Sequence, residues 1–240
     1  MRYLVTGGAG FVGSRLVKKL RDRGEHVVSF DGKTAGNMLY HQMPSDVDVI
    51  YHLAAHKSVE ESWVYPLMYT ENLSMMQLLV HTYPNAKIIH SSSCAGDQPE
   101  TSPYAFFKWA ASNYLKMFHQ NGVDLVFPNI FGGMQKQNSV VDIFKNADTL
   151  TILGDGSTIR DYVHVDDIVE GLLKAQNWPT GRYSMGSEKG RTTLELAEST
   201  GKPIEFAPPR SGGKEPAESI VPNTTPDWKP TIDVLDYIHA

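Results

Sequence analysis

The first seventeen residues constrain the rest of the chain. They read MRYLVTGGAGFVGSRLV: a short apolar run, glycines at 7, 8, 10 and 13, then apolar residues at helical spacing. A strand that turns on glycine directly into a helix opens a βαβ unit, and such a unit commits the chain to a parallel sheet covered by helices. Gly8, Gly10 and Gly13 satisfy G-x-G-x-x-G, while Gly7, Gly10 and Gly13 satisfy G-x-x-G-x-x-G. Glycine is required where a turn needs positive φ and where backbone must come close to a pyrophosphate. The helix opening at Phe11 and Val12 would offer free N–H groups and a positive dipole end to phosphates. Asp31 closes the second apolar run 18 residues after Gly13, near the offset expected of a carboxylate on adenosine ribose hydroxyls. A carboxylate there repels a 2′-phosphate, so NAD is expected in place of NADP, although Lys33 pulls the other way. The plain alternative is a tight glycine turn without a ligand, and Asp31 argues against it.

Strand and helix signals alternate through the first two thirds. Apolar, β-branched runs at 2–6, 26–30, 48–53, 87–91 and 124–127 predict buried parallel strands. Helices are expected at 11–23, 66–82 and 103–120, with a shorter one over 165–175 that the acidic pair Asp166 and Asp167 would open. From Pro179 onward proline and glycine become dense, which predicts loops and one short helix near 193–199. The expected fold class is α/β: a Rossmann-type doubly wound parallel sheet with a small, loop-rich C-terminal substrate lobe. The expected division gives residues 1–128 and about 158–178 to NAD binding, and residues 129–157 and 179–240 to the substrate lobe.

Composition narrows the function classes. With 240 residues, 41% of them hydrophobic, the chain can bury a sizeable core. A net charge of −5 argues against a nucleic-acid partner. Cys94 stands alone, which excludes an internal disulfide framework and fits a reducing compartment. No run approaches the roughly 18 apolar residues of a membrane span, and no signal peptide is visible at the N-terminus. A cytoplasmic protein with no membrane partner and no metal is expected.

A second segment, IIHSSSCAGDQPETSPYAFFKWAASNYL, places Tyr104 and Lys108 four apart on an expected helix, behind a strand ending in serines. Residues i and i+4 share a helix face. A free phenol with a pKa near 10 is a poor base at neutrality; an adjacent ammonium favours the tyrosinate and lowers that value. Tyr104 can then exchange a hydroxyl proton while a nicotinamide exchanges hydride with the same carbon. Ser93, at the strand end, is expected on the same substrate oxygen. A Tyr/Lys pair alone is usually a surface pair, but the serine strand and the glycine fingerprint together outweigh that reading.

The chain resembles the extended short-chain dehydrogenase/reductase family, specifically its NAD-dependent sugar-nucleotide epimerases and dehydratases. TGGAGFVG looks like the family's T-G-x-x-G-x-x-G, and YHLAAHKSVEES like its H-x-A-A strand end. That likeness implies cofactor contacts at Leu53, Ala54, Ala55 and Lys57, the last also toward substrate. ENLSMMQLL puts Asn72 at the family's active-site asparagine. SSSC and YAFFK match the catalytic serine, Ser93, and the Tyr104/Lys108 pair, with Cys94 beside the substrate. FPNIFGG implies Asn129 near the substrate phosphates. GDGSTIRDYVHVDDIVEGL and PPRSGG imply Arg160 and Arg210 as diphosphate ligands, a role that guanidinium groups suit. The resemblance also implies a homodimer in which the helices at 66–82 and 103–120 pair across a twofold axis, with Met68, Leu79, Phe107 and Tyr114 as candidates for the exposed apolar stripes.

Departures from the family pattern sharpen the expectation. His52 follows Asp31 by only 21 residues, which predicts a simplified adenine pocket. Tyr104 follows Ser93 by 11, so the intervening loop is trimmed, and Val126 stands where an arginine is common. The 4,6-dehydratases carry an Asp-Glu pair just after the catalytic hydroxyl; here the positions hold Cys94 and Ala95, which disfavours dehydration. GDP-fucose synthases share the Ser-Ser-Cys run but use NADPH, against Asp31. The resemblance therefore points to a UDP-sugar 4-epimerase of the UDP-glucose/UDP-galactose type, with NAD as cofactor and a nucleotide sugar as partner. A reductase of keto-sugar nucleotides and a non-catalytic cofactor sensor are the alternatives, and the intact Tyr104/Lys108 pair speaks against the sensor.

Overall fold

The computed structural model describes residues 1–133, 139–209 and 216–240, and the chain separates into two compact units. The first unit comprises 1–126 and 169–183, the second 127–168 and 184–240.

In the first unit, β1 (Arg2–Thr6) runs through the glycine turn into α1 (Phe11–Asp22), followed by β2 (His26–Phe30) and β3 (Val49–His52). Next come α2 (Val59–Val64), α3 (Thr70–Thr82), β4 (Lys87–Ser93), α4 (Pro103–Phe118) and β5 (Gly122–Phe127). One six-stranded sheet has the order β2-β1-β3-β4-β5-β9, where β9 is Gly181–Ser184. The pairs β1–β2, β1–β3 and β3–β4 are parallel. Strands β3 and β5 are buried at every position, as continuous apolar strands covered on both faces should be. Leu4, Ile50 and Ile88 of the sheet pack with Met76 and Leu79 of α3 and with Ala111 and Leu115 of α4 in one core. Pro103 at the first helical position and Ser102, whose hydroxyl accepts from Ala105 N at 3.1 Å, start α4.

Residues 31–48 run through turns and bends, and Met38 seals the core at their centre. The short segment after Asp31 adds no strand, and among the described residues β2 borders the sheet. The family-like dimer stripe is revised as well. Leu79 is fully buried in the core, while the exposed apolar residues of α4 are Phe106, Trp109, Met117 and Phe118, of which the first three, at 46%, 41% and 72% exposure, form one group. Their spacing keeps these three on one helical stripe.

The second unit contains β6 (Asn129–Phe131), α5 (Val140–Asn146), β7 (Leu150–Leu153) and β8 (Ile159–His164). Helix α6 (Val165–Ala175) begins here. The rest is β10 (Gly190–Thr192), α7 (Thr193–Ser199), β11 (Ile204–Ala207), β12 (Glu218–Ser219) and α8 (Val234–His239). Its core gathers Phe131, Phe144, Ile152, Tyr162, Leu196 and Ile238. Residues 158–168, expected with the NAD-binding part, fall here because β8 pairs with β6, β10 and β12. Residues 179–183, expected in the lobe, fall in the first unit because β9 joins its sheet.

Asp166 and Asp167 stand in the first turn of α6, as expected, and Asp167 has a second task. It is buried, and its carboxylate accepts from Thr231 N, Thr231 Oγ1 and Ile232 N at 3.0, 2.8 and 3.0 Å. Trp228 Nε1 donates to Asp167 O at 2.8 Å. The D-W-K-P segment is thereby fastened to the start of α6.

Candidate active site

The glycine turn is packed too tightly for side chains. Gly7 has φ +71°, and a Cβ there would lie 2.7 Å from Ala54 N and 2.8 Å from the Leu53 carbonyl carbon. A Cβ on Gly13 would lie 2.1 Å from Gly7 O, so this glycine sets how closely α1 approaches the turn. Gly7 N donates to Phe30 O at 2.8 Å and Gly10 N to Gly7 O at 2.9 Å, which closes the loop. Helix α1 has no side-chain cap at Gly10 and no acidic residue in its first turn, so its leading N–H groups suit an anion. Asp31 sits beside the turn: its carboxylate accepts from Ala9 N at 3.1 Å and from Lys33 N at 2.9 Å. A bare cradle, an uncapped helix start and a carboxylate at its rim fit the diphosphate and ribose of a dinucleotide.

Leu53 and Ala54 run past this turn, with Leu53 N donating to Thr6 O at 3.1 Å and Ala54 N to Thr6 Oγ1 at 3.4 Å. Asn72 grips the backbone of the next residues. Its Oδ1 accepts from His56 N at 2.9 Å and its Nδ2 donates to His56 O at 3.0 Å. Its amide therefore shapes the loop after β3. Lys57 is an exposed cation whose pKa is lowered, by partial burial of its ammonium and then by Lys33.

Strand β4 and helix α4 bring Ser93, Tyr104 and Lys108 together. The Ser93 and Tyr104 side chains are hydrogen bonded. Burial pushes the Tyr104 phenol up to about 12; the bond to Ser93 pulls it back, while Cys94 and Tyr69 push it up further. Tyr69 meets Tyr104 edge-on at 6.4 Å. Lys108 is buried, and its Nζ donates to Ser91 O at 2.6 Å. Burial lowers its pKa to about 8, opposed by the charge of Asp124. The expected lowering of the Tyr104 pKa is thus not a property of the protein alone: the phenol is neutral near pH 7, and burial outweighs the help it receives. A positive charge arriving beside it would bring it down.

In the second unit, Asn129 opens β6, and its Nδ2 donates to Asp161 O at 3.2 Å. Arg160 on β8 is half-buried; its Nη1 donates to Ile159 O at 2.8 Å and to Pro216 O at 3.0 Å. Arg210 lies outside the described residues. Among the described residues no cluster of three metal-ligating side chains forms, and no helix is long and apolar enough to cross a membrane.

Residues 3–186 match the NAD dependent epimerase/dehydratase family. The chain belongs to that family. Among its relatives, UDP-glucose 4-epimerase of Mycolicibacterium smegmatis is 32% identical over 275 aligned positions, covering 88% of this chain and 87% of the relative. The aligned length exceeds the 240 residues of this chain, so the alignment contains gaps where this chain is the shorter. The solved UDP-glucose 4-epimerase of Thermotoga maritima with UDP-glucose superposes with a TM-score of 0.84 at 28% identity, covering 99% of this chain and 96% of that one. UDP-glucuronic acid 4-epimerase of Bacillus cereus, in complex with UDP-glucuronic acid and NAD, superposes with a TM-score of 0.86 at 25% identity over 100% and 97% of the two chains.

In this member of the NAD dependent epimerase/dehydratase family, sequence reasoning missed residues that pairing alone reveals. Arg191 of β10 stands directly opposite Arg160 of β8, which puts two cations on one face of an antiparallel pair. Asp161 is fully buried, and its carboxylate accepts from Ser187 N, Glu188 N and Val221 N at 3.0, 3.3 and 3.2 Å and from Ser187 Oγ. The R-D pair was legible, but its Asp is a bracket for two distant loops. Only the buried polar atoms of the folded unit show that.

Proposed function

We propose that the protein is an NAD-dependent UDP-sugar 4-epimerase of the UDP-glucose/UDP-galactose type. The observation that carries the reading is the Ser93–Tyr104 hydrogen bond with Lys108 buried one helical turn away. Tyr104 takes the proton of the 4-hydroxyl, and Ser93 holds the same oxygen in place. Bound NAD supplies the acceptor and then the donor of the C4 hydride. After the 4-keto sugar turns over, hydride returns to the opposite face of C4 and Tyr104 returns the proton to the 4-oxygen. Gly7, Gly10, Phe11, Val12, Gly13 and Asp31 hold the cofactor, with Leu53, Ala54, Ala55, Lys57 and Asn72 along the strand end. Asn129, Arg160 and Arg210 hold the substrate diphosphate, with Cys94 lining the sugar. The first unit is then the NAD-binding domain and the second the substrate lobe.

The test is incubation with UDP-glucose, UDP-GlcNAc and UDP-glucuronate, each with and without NAD, followed by NMR of the C4 configuration. Inversion at C4 without net NADH supports the reading. Stoichiometric NADH points to a dehydrogenase, and turnover that requires added NAD(P)H points to a keto-sugar reductase.

We propose further that the protein works in the cytoplasm as a homodimer; the apolar stripe of Phe106, Trp109 and Met117 supports assembly through α4. Sedimentation equilibrium of the protein and of a Trp109→Glu variant tests it: the wild type sediments as a dimer and the variant as a monomer.

A further inference from the structure

A row of polar side chains crosses the sheet of the first unit beneath the glycine turn. Thr6 of β1, His52 of β3 and His90 of β4 stand in register on three adjacent strands. Asp124 of β5 continues the row. Thr6 Oγ1 and His52 Nδ1 are 2.8 Å apart, the two imidazoles stack at 5.5 Å, and His90 Nδ1 lies 2.8 Å from Asp124 Oδ1. A carboxylate can only accept, so His90 carries its proton on Nδ1. All four residues are nearly or fully buried. A buried carboxylate in a strand core is costly unless several donors converge on it.

The donors that converge on Asp124 lead to the catalytic pair. Ser112 Oγ, from α4, donates to Asp124 Oδ1 at 3.0 Å and lies 2.8 Å from Ser92 Oγ of β4. One turn earlier on α4, the Lys108 ammonium donates to Ser91 O. Ser91 Oγ in turn donates to His52 O at 3.0 Å. On the far side, Arg182 Nη1 of β9 lies 3.6 Å from Asp124 Oδ2, while its Nη2 holds Asp97. The charged and titratable groups around Asp124 are therefore Lys108, His90, Arg182 and Asp97. Burial holds both histidines in their neutral form. The charge of Asp124 opposes the loss of the Lys108 proton.

We propose that Asp124 is a positioning residue for proton transfer: through Ser112 it fastens the serine end of β4 to the helix that carries Tyr104, and so sets a buried carboxylate one turn of that helix from Lys108. Nothing else in the row supplies a negative charge to that ammonium. Arg182 shares the same carboxylate and tempers its pull. The role of Lys108 in turnover rests on the 4-epimerase reading given above; the charge of Lys108 does not.

The test follows the 13Cε resonance of Lys108 with pH in lysine-labelled protein, identified by its loss in Lys108→Met. Wild type, Asp124→Asn and Arg182→Gln are compared, alongside the pH profile of kcat with UDP-glucose. In Asp124→Asn the Lys108 midpoint falls by on the order of one pH unit, the usual scale for loss of a nearby opposite charge. In Arg182→Gln it rises, and the alkaline limb of kcat moves with each. An unchanged Lys108 midpoint in Asp124→Asn, with kcat lowered equally at all pH values, overturns the proposal, because a merely structural role has that signature. Were Asp124→Asn not to fold, the rim variant Arg182→Gln decides: a raised midpoint supports the proposal and an unmoved one refutes it. Shifted midpoints without C4 inversion in any variant leave the Asp124 assignment standing and refute the 4-epimerase reading.

Discussion

Replacing Gly13 by alanine separates the two duties of the glycine turn. The added Cβ would lie 2.1 Å from Gly7 O and 3.0 Å from Gly8 Cα, against 3.4–4 Å for an ordinary contact. Both neighbours are backbone and cannot rotate aside, so α1 must back away from the turn by about 1.3 Å (3.4 − 2.1). Overpacking of this kind costs about 1–3 kcal/mol, and alanine returns about 1 kcal/mol through its better helix propensity. The net loss of stability is thus at most about 2 kcal/mol. Dinucleotide binding suffers more. Each charge-assisted hydrogen bond from the first turn of α1 is worth about 1.5–3 kcal/mol, so losing one weakens NAD binding about 10- to 150-fold. Titration calorimetry with NAD and thermal melting are the assays. Gly8→Ala serves as the graded control: its Cβ meets Ser29 Oγ at 2.2 Å, the movable end of a side chain, and a milder loss is expected. Gly32→Ala meets nothing within 4 Å, so it should melt at or slightly above the wild-type temperature. Unaltered NAD affinity in Gly13→Ala would falsify the assignment of this turn to the cofactor.

Three further outcomes are expected. Tyr104→Phe retains the fold and NAD binding but lowers C4 inversion by about 100- to 10,000-fold, the range for loss of a general acid–base group; NMR of the product sugar checks it. His52 and His90 both have folded pKa values lowered by burial. The unfolded chain therefore binds their protons first, and their contribution to stability is complete above about pH 6.5 and is lost as pH falls below it, toward the lowered folded values. Thermal melts from pH 8 to pH 5 should show Tm falling on acidification, and a flat profile counts against the buried row. Asp161→Asn replaces an acceptor-only group with one that confronts backbone N–H groups with an NH2; a loss of about 1.5–3 kcal/mol per broken charged bond is expected in urea unfolding, with a wild-type midpoint as the contrary result.

What the sequence disclosed depended on how local the cause was. Strand β1, helices α1 and α4, and the 165–175 and 193–199 helices were readable because glycine, proline and apolar spacing act over a few residues. Strands β9 to β12 were not. They span two to four residues with half-buried patterns, so they show neither alternation nor a continuous apolar run, and only their partners make them strands. The proposed catalytic set was legible as motif residues, yet the charge state of Tyr104 was not. A neighbouring lysine at i+4 suggests an acidified phenol, whereas Lys108 turns to Ser91 O and burial governs. Asp124 fell inside an expected buried strand, but nothing local marked its carboxylate as a junction: Ser112, His90 and Arg182 converge on it only in the fold. Leu79 failed as an interface candidate for a related reason. Helical spacing tells which residues share a face, not whether that face meets the sheet or the solvent.

Because β2 borders its sheet, the outward-facing amides and carbonyls of His26–Phe30 have no strand beyond them among the described residues. A chain that stops its sheet here has room to grow without disturbing chemistry on the other side of β1. Residues 42–47, which flank the open margin, are the natural point at which to graft an extra strand. On the proposed placement of NAD, with its adenosine ribose at Asp31, such an extension would wall in the adenine end and slow the escape of the cofactor.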